Sequence, residues 1–277
     1  MTTVAIIGVG SVGEVLLGGL IRAGWDRDRI AIVVRREERA AELEGRYGVR
    51  AVSLTEATQA ASIVLLAVKP QDIAALLQHL APHLTPDHLV VSVAAGVPTA
   101  FIEAQLGEDI PVVRVMPNTP AFVDEGISAV SAGSHADEKH LAATEEIFSP
   151  VGKVLRLPEK HQDAVTAMSG SGPAYFFYLV EAMIDAGILL GLPRSMAADL
   201  VVQTALGAAV MLRDSGEHPV QLREAVTSPG GTTINAIVEL EKHGVRAALI
   251  SAISAAKDRS AEIASTFEPK PDPEPKN

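Results

Sequence analysis

The sequence predicts two parts, an α/β N-terminal domain built on a parallel sheet and an all-α C-terminal domain. Three observations carry this. Short apolar, β-branched runs alternate with helix-patterned segments through the first half. A glycine-rich turn joins the first such run to the first helix pattern. From about Glu159 onward the strand pattern stops, and long, nearly uncharged helical stretches take over.

The first run, "TVAIIG", ends at Gly8 and leads into "SVGEVLLGGLIRAG" at helical spacing. "RIAIVV" (29–34) is the next strand and "REERAAELEGRYG" the next helix. "ASIVLLAV" (61–68), "HLVVSVAAG" (88–96) and "IPVVRVMP" (110–117) continue the series. Strands separated by helices form βαβ units and hence a parallel sheet. Strands buried on both faces read as continuous apolar runs, as these do. The predicted boundaries are 1–158 for this domain, 159–266 for the helical domain and 267–277 for a disordered tail. The tail carries "EPKPDPEPKN", where proline alternates with charge and little can be buried.

The first turn reads Gly8-Val9-Gly10-Ser11-Val12-Gly13, a GxGxxG between strand and helix. Gly8 permits the tight turn, and Gly10 lets a pyrophosphate approach the backbone. Gly13 lets helix pack on strand, and the helix N-terminus faces the phosphates. In that context the motif predicts a Rossmann-type dinucleotide-binding domain. The second strand ends in Arg35-Arg36, where an acid would hold a free ribose 2′-hydroxyl. Two arginines suit a 2′-phosphate, so NADPH is expected as cofactor, with NADH possible.

In the second half, "GPAYFFYLVEAMIDAGILLGL" (172–192) has Glu181 and Asp185 as its only charges. "LVVQTALGAAVML" has Gln203 and Thr204 as its only polar side chains. Helices apolar nearly all round must be buried on all sides, which a domain of this size does not achieve alone. An intertwined homodimer core is expected, assembling into a higher oligomer.

Composition narrows the function classes. A net charge of -11 argues against a nucleic-acid surface. Cysteine is absent, which excludes disulfides and thiolate chemistry and fits a cytoplasmic location. The N-terminus lacks a signal-peptide pattern, and no uncharged run of about 18 apolar residues predicts a membrane span.

Five stretches then make the pattern specific: "AVKP" (67–70), "SVAAGV" (92–97), "RVMPNTP" (114–120), "SGSGPAY" (169–175) and "LREAVTSPGGTTINAIVELE" (222–241). With them the chain resembles the pyrroline-5-carboxylate reductase family from its first strand to about residue 265. The resemblance implies NAD(P)H-dependent reduction of the small cyclic imine pyrroline-5-carboxylate to L-proline, the last step of proline biosynthesis. It gives the second glycine-rich helix start, Gly230-Gly231-Thr232-Thr233, to the substrate. Free backbone amides at a helix N-terminus suit a carboxylate, and glycines let it come close. Taken alone the segment is an ordinary helix start capped by Ser228 or Thr232. Thr233 is carried over as the catalytic contact to the ring nitrogen, and Ser171 as a further substrate residue. Glu159 matches a family carboxylate near the substrate, although its surroundings "PEKHQD" read as surface charge. An imine that enters protonated needs no strong general acid, and the motifs offer none.

Ligands of parallel sheets sit beyond the carboxyl ends of strands. That places Ala67, Val68, Lys69 and Pro70 beside the nicotinamide, with Ala94, Ala95 and Gly96 leaving room for its ring one strand later. Asn118 is the polar residue expected to orient neighbouring loops or the nicotinamide amide. Some relatives carry a cofactor-contacting asparagine where this chain has Ala225. A hydroxyacid dehydrogenase of similar architecture would need a lysine early in the helical domain, and none lies between Lys160 and Lys242. A catalytically silent NADP(H) sensor would not need both "SGSGPAY" and "TSPGGTT". His79 and His83 have the spacing of a helical metal pair, but Pro82 lies between them and no third ligand converges, so no metal site is expected.

Overall fold

The computed structural model describes residues 3–107 and 109–267. The chain divides into two compact units. One holds the residues up to Ser171 together with those from Ala256 onward; the other is Gly172–Ala255.

The first unit is an α/β Rossmann-like layer structure. Its strands are β1 (Val4–Ile7), β2 (Ile30–Val33), β3 (Arg50–Ala51), β4 (Ile63–Leu66), β5 (Leu89–Ser92), β6 (Val112–Met116), β7 (Gly126–Ala132) and β8 (Gly152–Arg156). Among the described residues they form one sheet in the order β3-β2-β1-β4-β5-β6-β7-β8. The helices between them are α1 (Ser11–Arg22), α2 (Glu37–Tyr47), α3 (Leu54–Ala60), α4 (Ile73–Leu80), α5 (Thr99–Leu106) and α6 (Glu138–Phe148), with the single turn α7 (Gln162–Val165) after the sheet. β1 and β4 are buried along their whole length, paired in register from Val4↔Ile63 to Ile7↔Leu66. Ile6 and Leu65 join Leu16, Leu20 and Phe148 on one face. Ile7 and Leu66 join Leu77 and Ile102 on the other. Each such side chain contributes roughly 1.5–3 kcal/mol on burial, so the two-sided core holds the strand ends in place.

The sheet differs from the wholly parallel expectation at one edge. β7 runs antiparallel to β6, and β8 pairs parallel with β7. The nine residues from Pro117 to Glu125 join β6 to β7 through a 3-10 turn. A parallel crossover needs a dozen or more residues, so this connection can only reverse the chain.

The second unit is helical. α8 (Gly172–Leu189) and α9 (Arg194–Asp214) pack together where Gly187 meets Ala197; a Cβ at Gly187 would lie 2.8 Å from that of Ala197. α10 (Pro219–Ala225), α11 (Thr232–Lys242) and the first part of α12 (Val245–Ser265) complete it. In the single chain these helices leave much apolar surface open: Phe176 and Phe177 are each 69% exposed, and Leu206 is 56% exposed. The helices spanning Glu159–Leu189 and Arg194–Asp214 are long and apolar enough to cross a membrane, by length and composition alone.

The last turns of α12 return to the first unit. Ser260, 4% exposed, donates from Oγ to Asp163 Oδ1 at 2.7 Å. Phe267, the first residue of the expected tail, packs edge-on against Phe101 with ring centroids 5.0 Å apart. The rest of that tail lies outside the described residues.

Candidate active site

The first glycine turn is built by the end of β1 and the start of α1. Gly8 sits at φ +86°, a conformation that disfavours side chains, and a Cβ there would lie 2.5 Å from Val68 Cγ1. Gly13 faces the Gly8 carbonyl, where a Cβ would lie 3.0 Å away. Gly10 has open space where its side chain would be, and as N-cap of α1 it offers no side-chain cap. Ser11 and Val12 follow as the first exposed residues of α1. The helix therefore opens with free amides toward an unobstructed backbone, the arrangement a pyrophosphate requires.

That turn forms one wall of a cleft of about 500 Å³. Gly8, Val9 and Gly10 line it with Arg35 and Arg36 from the end of β2 and with Ala67, Val68 and Lys69 from the end of β4. Pro70 opens the 3-10 turn that follows. Arg35 is largely exposed and pairs with Asp72 at 3.1 Å. Arg36 is the N-cap residue of α2. The residues that fit a dinucleotide are thus gathered in one place, with cationic groups at the β2 end.

Arg39 also lines this cleft and was passed over in the sequence, where it lies in the charged run "REERAAELE". Its place three residues after Arg36 in that run is the one available signal. Its guanidinium reaches the Val9 carbonyl at 3.4 Å and pairs with Glu14. Arg46, at 2.6 Å, and Tyr47, at 3.0 Å, also bind Glu14. Burial works to raise the Glu14 carboxyl; the hydrogen bonds from Arg39 and Tyr47 and the charges of Arg39 and Arg46 outweigh it and hold the group below its ordinary range. An acid in the first turn of α1 is in this way neutralised beside the anion-binding end.

The turn after β5 carries Ala94, Ala95 and Gly96. Ala94 is buried and Ala95 exposed. A Cβ at Gly96 would lie 2.7 Å from Ile263 Cγ2, so glycine at this position lets α12 pack against the turn. Asn118 follows β6 and accepts the Ile127 N–H on Oδ1 at 2.9 Å, tying the reversal into β7. It shares an apolar hollow of about 200 Å³ with Val12, Met116 and Gly170. Ser171 ends a single π-turn over Thr166–Gly170, its N–H bonded to the Thr166 carbonyl at 2.8 Å.

Glu159 is not a free surface charge. It accepts the Thr99 N–H at 2.8 Å, the Thr99 hydroxyl at 2.5 Å and Arg114 Nη1 at 3.2 Å. Arg114 is 4% exposed, and its Nη2 has no hydrogen-bond partner among the described residues; nor has Gln162 Oε1. A charged residue inside the apolar run "IPVVRVMP" was the sequence signal for this network.

In the second unit, Gly230 lies at φ +66°, turning the chain into α11. Gly231 is the N-cap residue, and no side chain caps the helix. Neither Ser228 nor Thr232 takes that task. Thr232 is exposed and Thr233 half-buried in the first turn. No group of His, Asp or Glu suited to a metal occurs among the described residues.

A glycine turn opening the first helix of such a sheet, with a cation-lined cleft beside it and a helical unit following, defines a dinucleotide-dependent oxidoreductase. Comparison sharpens that class. Residues 159–263 match the family model "Pyrroline-5-carboxylate reductase dimerisation", and residues 3–96 match "NADP oxidoreductase coenzyme F420-dependent". The chain is 45% identical over 269 residues to a pyrroline-5-carboxylate reductase from Corynebacterium melassecola, covering 95% of this chain and 99% of that one. A reductase of the same name from Pseudomonas aeruginosa is 45% identical over 263 residues, covering 94% and 96%. Among solved structures, a pyrroline-5-carboxylate reductase from Coxiella burnetii superposes with a TM-score of 0.90 at 37% identity, covering 95% and 98%. The Plasmodium falciparum pyrroline carboxylate reductase, solved with NADP bound, gives 0.85 at 28%, covering 95% and 98%. The chain belongs to the pyrroline-5-carboxylate reductase family.

Proposed function

We propose that this chain reduces L-1-pyrroline-5-carboxylate to L-proline, the last step of proline biosynthesis, with NADPH preferred and NADH accepted. The observation that carries the reading is the α11 start, a helix N-terminus without a side-chain cap, built from the family's Gly230-Gly231-Thr232-Thr233. Its backbone amides hold the substrate carboxylate, and the two glycines keep side chains out of its way. The Thr233 hydroxyl pairs with the ring nitrogen, and Ser171 contributes to the substrate side. The ring enters protonated, so no residue has to deliver a proton to it.

The bound cofactor supplies the hydride. Gly8 to Gly13 take its pyrophosphate at the N-terminus of α1, and Arg35 and Arg36 take the 2′-phosphate. Ala67 to Pro70, Ala94 to Gly96 and Asn118 line the nicotinamide side. The open apolar faces of α8 and α9 support a homodimer through the helical unit, with further assembly of dimers. Cysteine-free composition supports a cytoplasmic location.

The test is absorbance at 340 nm with NADPH and pyrroline-5-carboxylate. A protein-dependent decline that needs both compounds is expected. A folded protein that leaves the absorbance unchanged would remove the assignment.

A further inference from the structure

Among the described residues, every hydrogen bond and ion pair made by the Glu159 carboxylate falls inside the first unit. Thr99, which supplies two of them, is the first residue of α5. The N-cap position of that helix is Pro98, which has no acceptor side chain. An uncapped helix start leaves amides without partners. Glu159, 60 residues further on, supplies the missing acceptor, and its charge suits the positive end of the helix.

Arg114 completes the arrangement from the middle of β6. It is buried with its Nη2 amino group unpaired among the described residues, which is unfavourable in itself. Its stabilising partner is Glu159, and its charge aims that carboxylate at Thr99. The turn that precedes α5 is consequently held at three points. Ser92 Oγ accepts the Ala94 N–H at 3.3 Å. Ile263 fills the space beside Gly96. Glu159 grips Thr99.

We propose that Glu159 is a positioning residue that fixes the 94–98 turn for the cofactor, and is not a substrate contact. This rests on the assignment of that turn to the cofactor given above.

Three quantities test it on the intact protein: the NADPH Kd from fluorescence titration, the KM for pyrroline-5-carboxylate, and the melting temperature. Glu159→Gln and Thr99→Val should each raise the NADPH Kd about tenfold, the size of one charge-assisted hydrogen bond, with the substrate KM within about twofold of the parent. The double variant should be no weaker than the worse single one, because both break one link. A raised substrate KM with unchanged NADPH Kd makes Glu159 a substrate contact and overturns the proposal. A lower melting temperature alone makes it a plain helix cap and also overturns it, as does an additive double variant. Ala95→Phe probes the turn without touching Glu159. Unchanged NADPH affinity there removes the turn from the cofactor site, and the proposal falls with that assignment. Weakened affinity in Ala95→Phe, with none in Glu159→Gln, defeats the proposal alone.

Discussion

Gly8 and Gly10 stand two residues apart in one motif, and the structure gives them opposite tasks. An alanine at position 8 must adopt φ +86°, which costs roughly 1–2 kcal/mol for a residue with a Cβ. Its methyl would also lie 2.5 Å from Val68 Cγ1 and 3.0 Å from the Ala67 carbonyl oxygen. Overpacking of this kind costs about 1–3 kcal/mol more. Gly8→Ala should therefore lose about 2–5 kcal/mol, a fall in melting temperature of roughly 5–15 °C. At Gly10 φ is -85°, and nothing lies within 4 Å of an added Cβ. Gly10→Ala should melt as the parent does while NADPH binding weakens, because the methyl occupies the space kept for the pyrophosphate. Thermal unfolding by circular dichroism and NADPH titration, run on both variants, give the comparison. A Gly8→Ala protein as stable as the parent would refute the strain argument. A Gly10→Ala protein with unchanged NADPH affinity would refute the close approach of the phosphates.

Thr233→Ala should lower kcat by roughly 10- to 100-fold with little change in NADPH Kd, and Thr233→Ser should keep much of the rate; full activity in a well-folded alanine variant removes the role. Replacing Arg35 and Arg36 together by alanine should raise the NADPH Kd by about 10- to 100-fold and leave NADH binding nearly unchanged, as seen by parallel titrations. Glu14 has a lowered folded pKa, so its contribution to stability is full above its ordinary value of 4.5 and disappears as pH falls through the depressed value. Urea midpoints of Glu14→Gln should lie below the parent at neutral pH and converge with it in acid; a constant gap at all pH values counts against the ion-pair account. Light scattering at micromolar concentration should show no folded monomer, since α8 and α9 leave Phe176, Phe177 and Leu206 open in the single chain.

Sequence pattern disclosed β1, β4, β5 and β6, which are buried on both faces, and β2, buried on one, because continuous β-branched runs have few other readings. It did not disclose β7 or β8. "GISAVSA" and "GKVLR" both open with glycine; the first mixes small and hydroxyl residues, and the second is charged and largely exposed at the sheet edge. Their antiparallel start follows from the length of a loop, which strand propensity does not record. The glycine turn, Arg35 and Arg36 were legible because a motif fixes their place beside a strand end. Arg39 and the Glu159–Thr99–Arg114 group were not, since each joins residues far apart in sequence through side chains whose pairing needs the folded sheet.

The return of the last turns of α12 to the sheet has a consequence for how the molecule is made. Ser260 and Asp163 are 97 residues apart along the chain, yet their bond belongs to the unit that begins at the N-terminus. A ribosome adding about 5–20 residues per second delivers Ser260 roughly 5–20 s after Asp163. Through that interval the sheet must wait, with Gly96 lacking Ile263 and Phe101 lacking Phe267. The unit that carries the glycine turn is thus closed by residues translated only after the helical unit Gly172–Ala255. A truncation just behind Ser265 strips Phe267 from Phe101, and a fragment stopping at Ser171 lacks the Ser260, Ile263 and Phe267 contacts of its own unit.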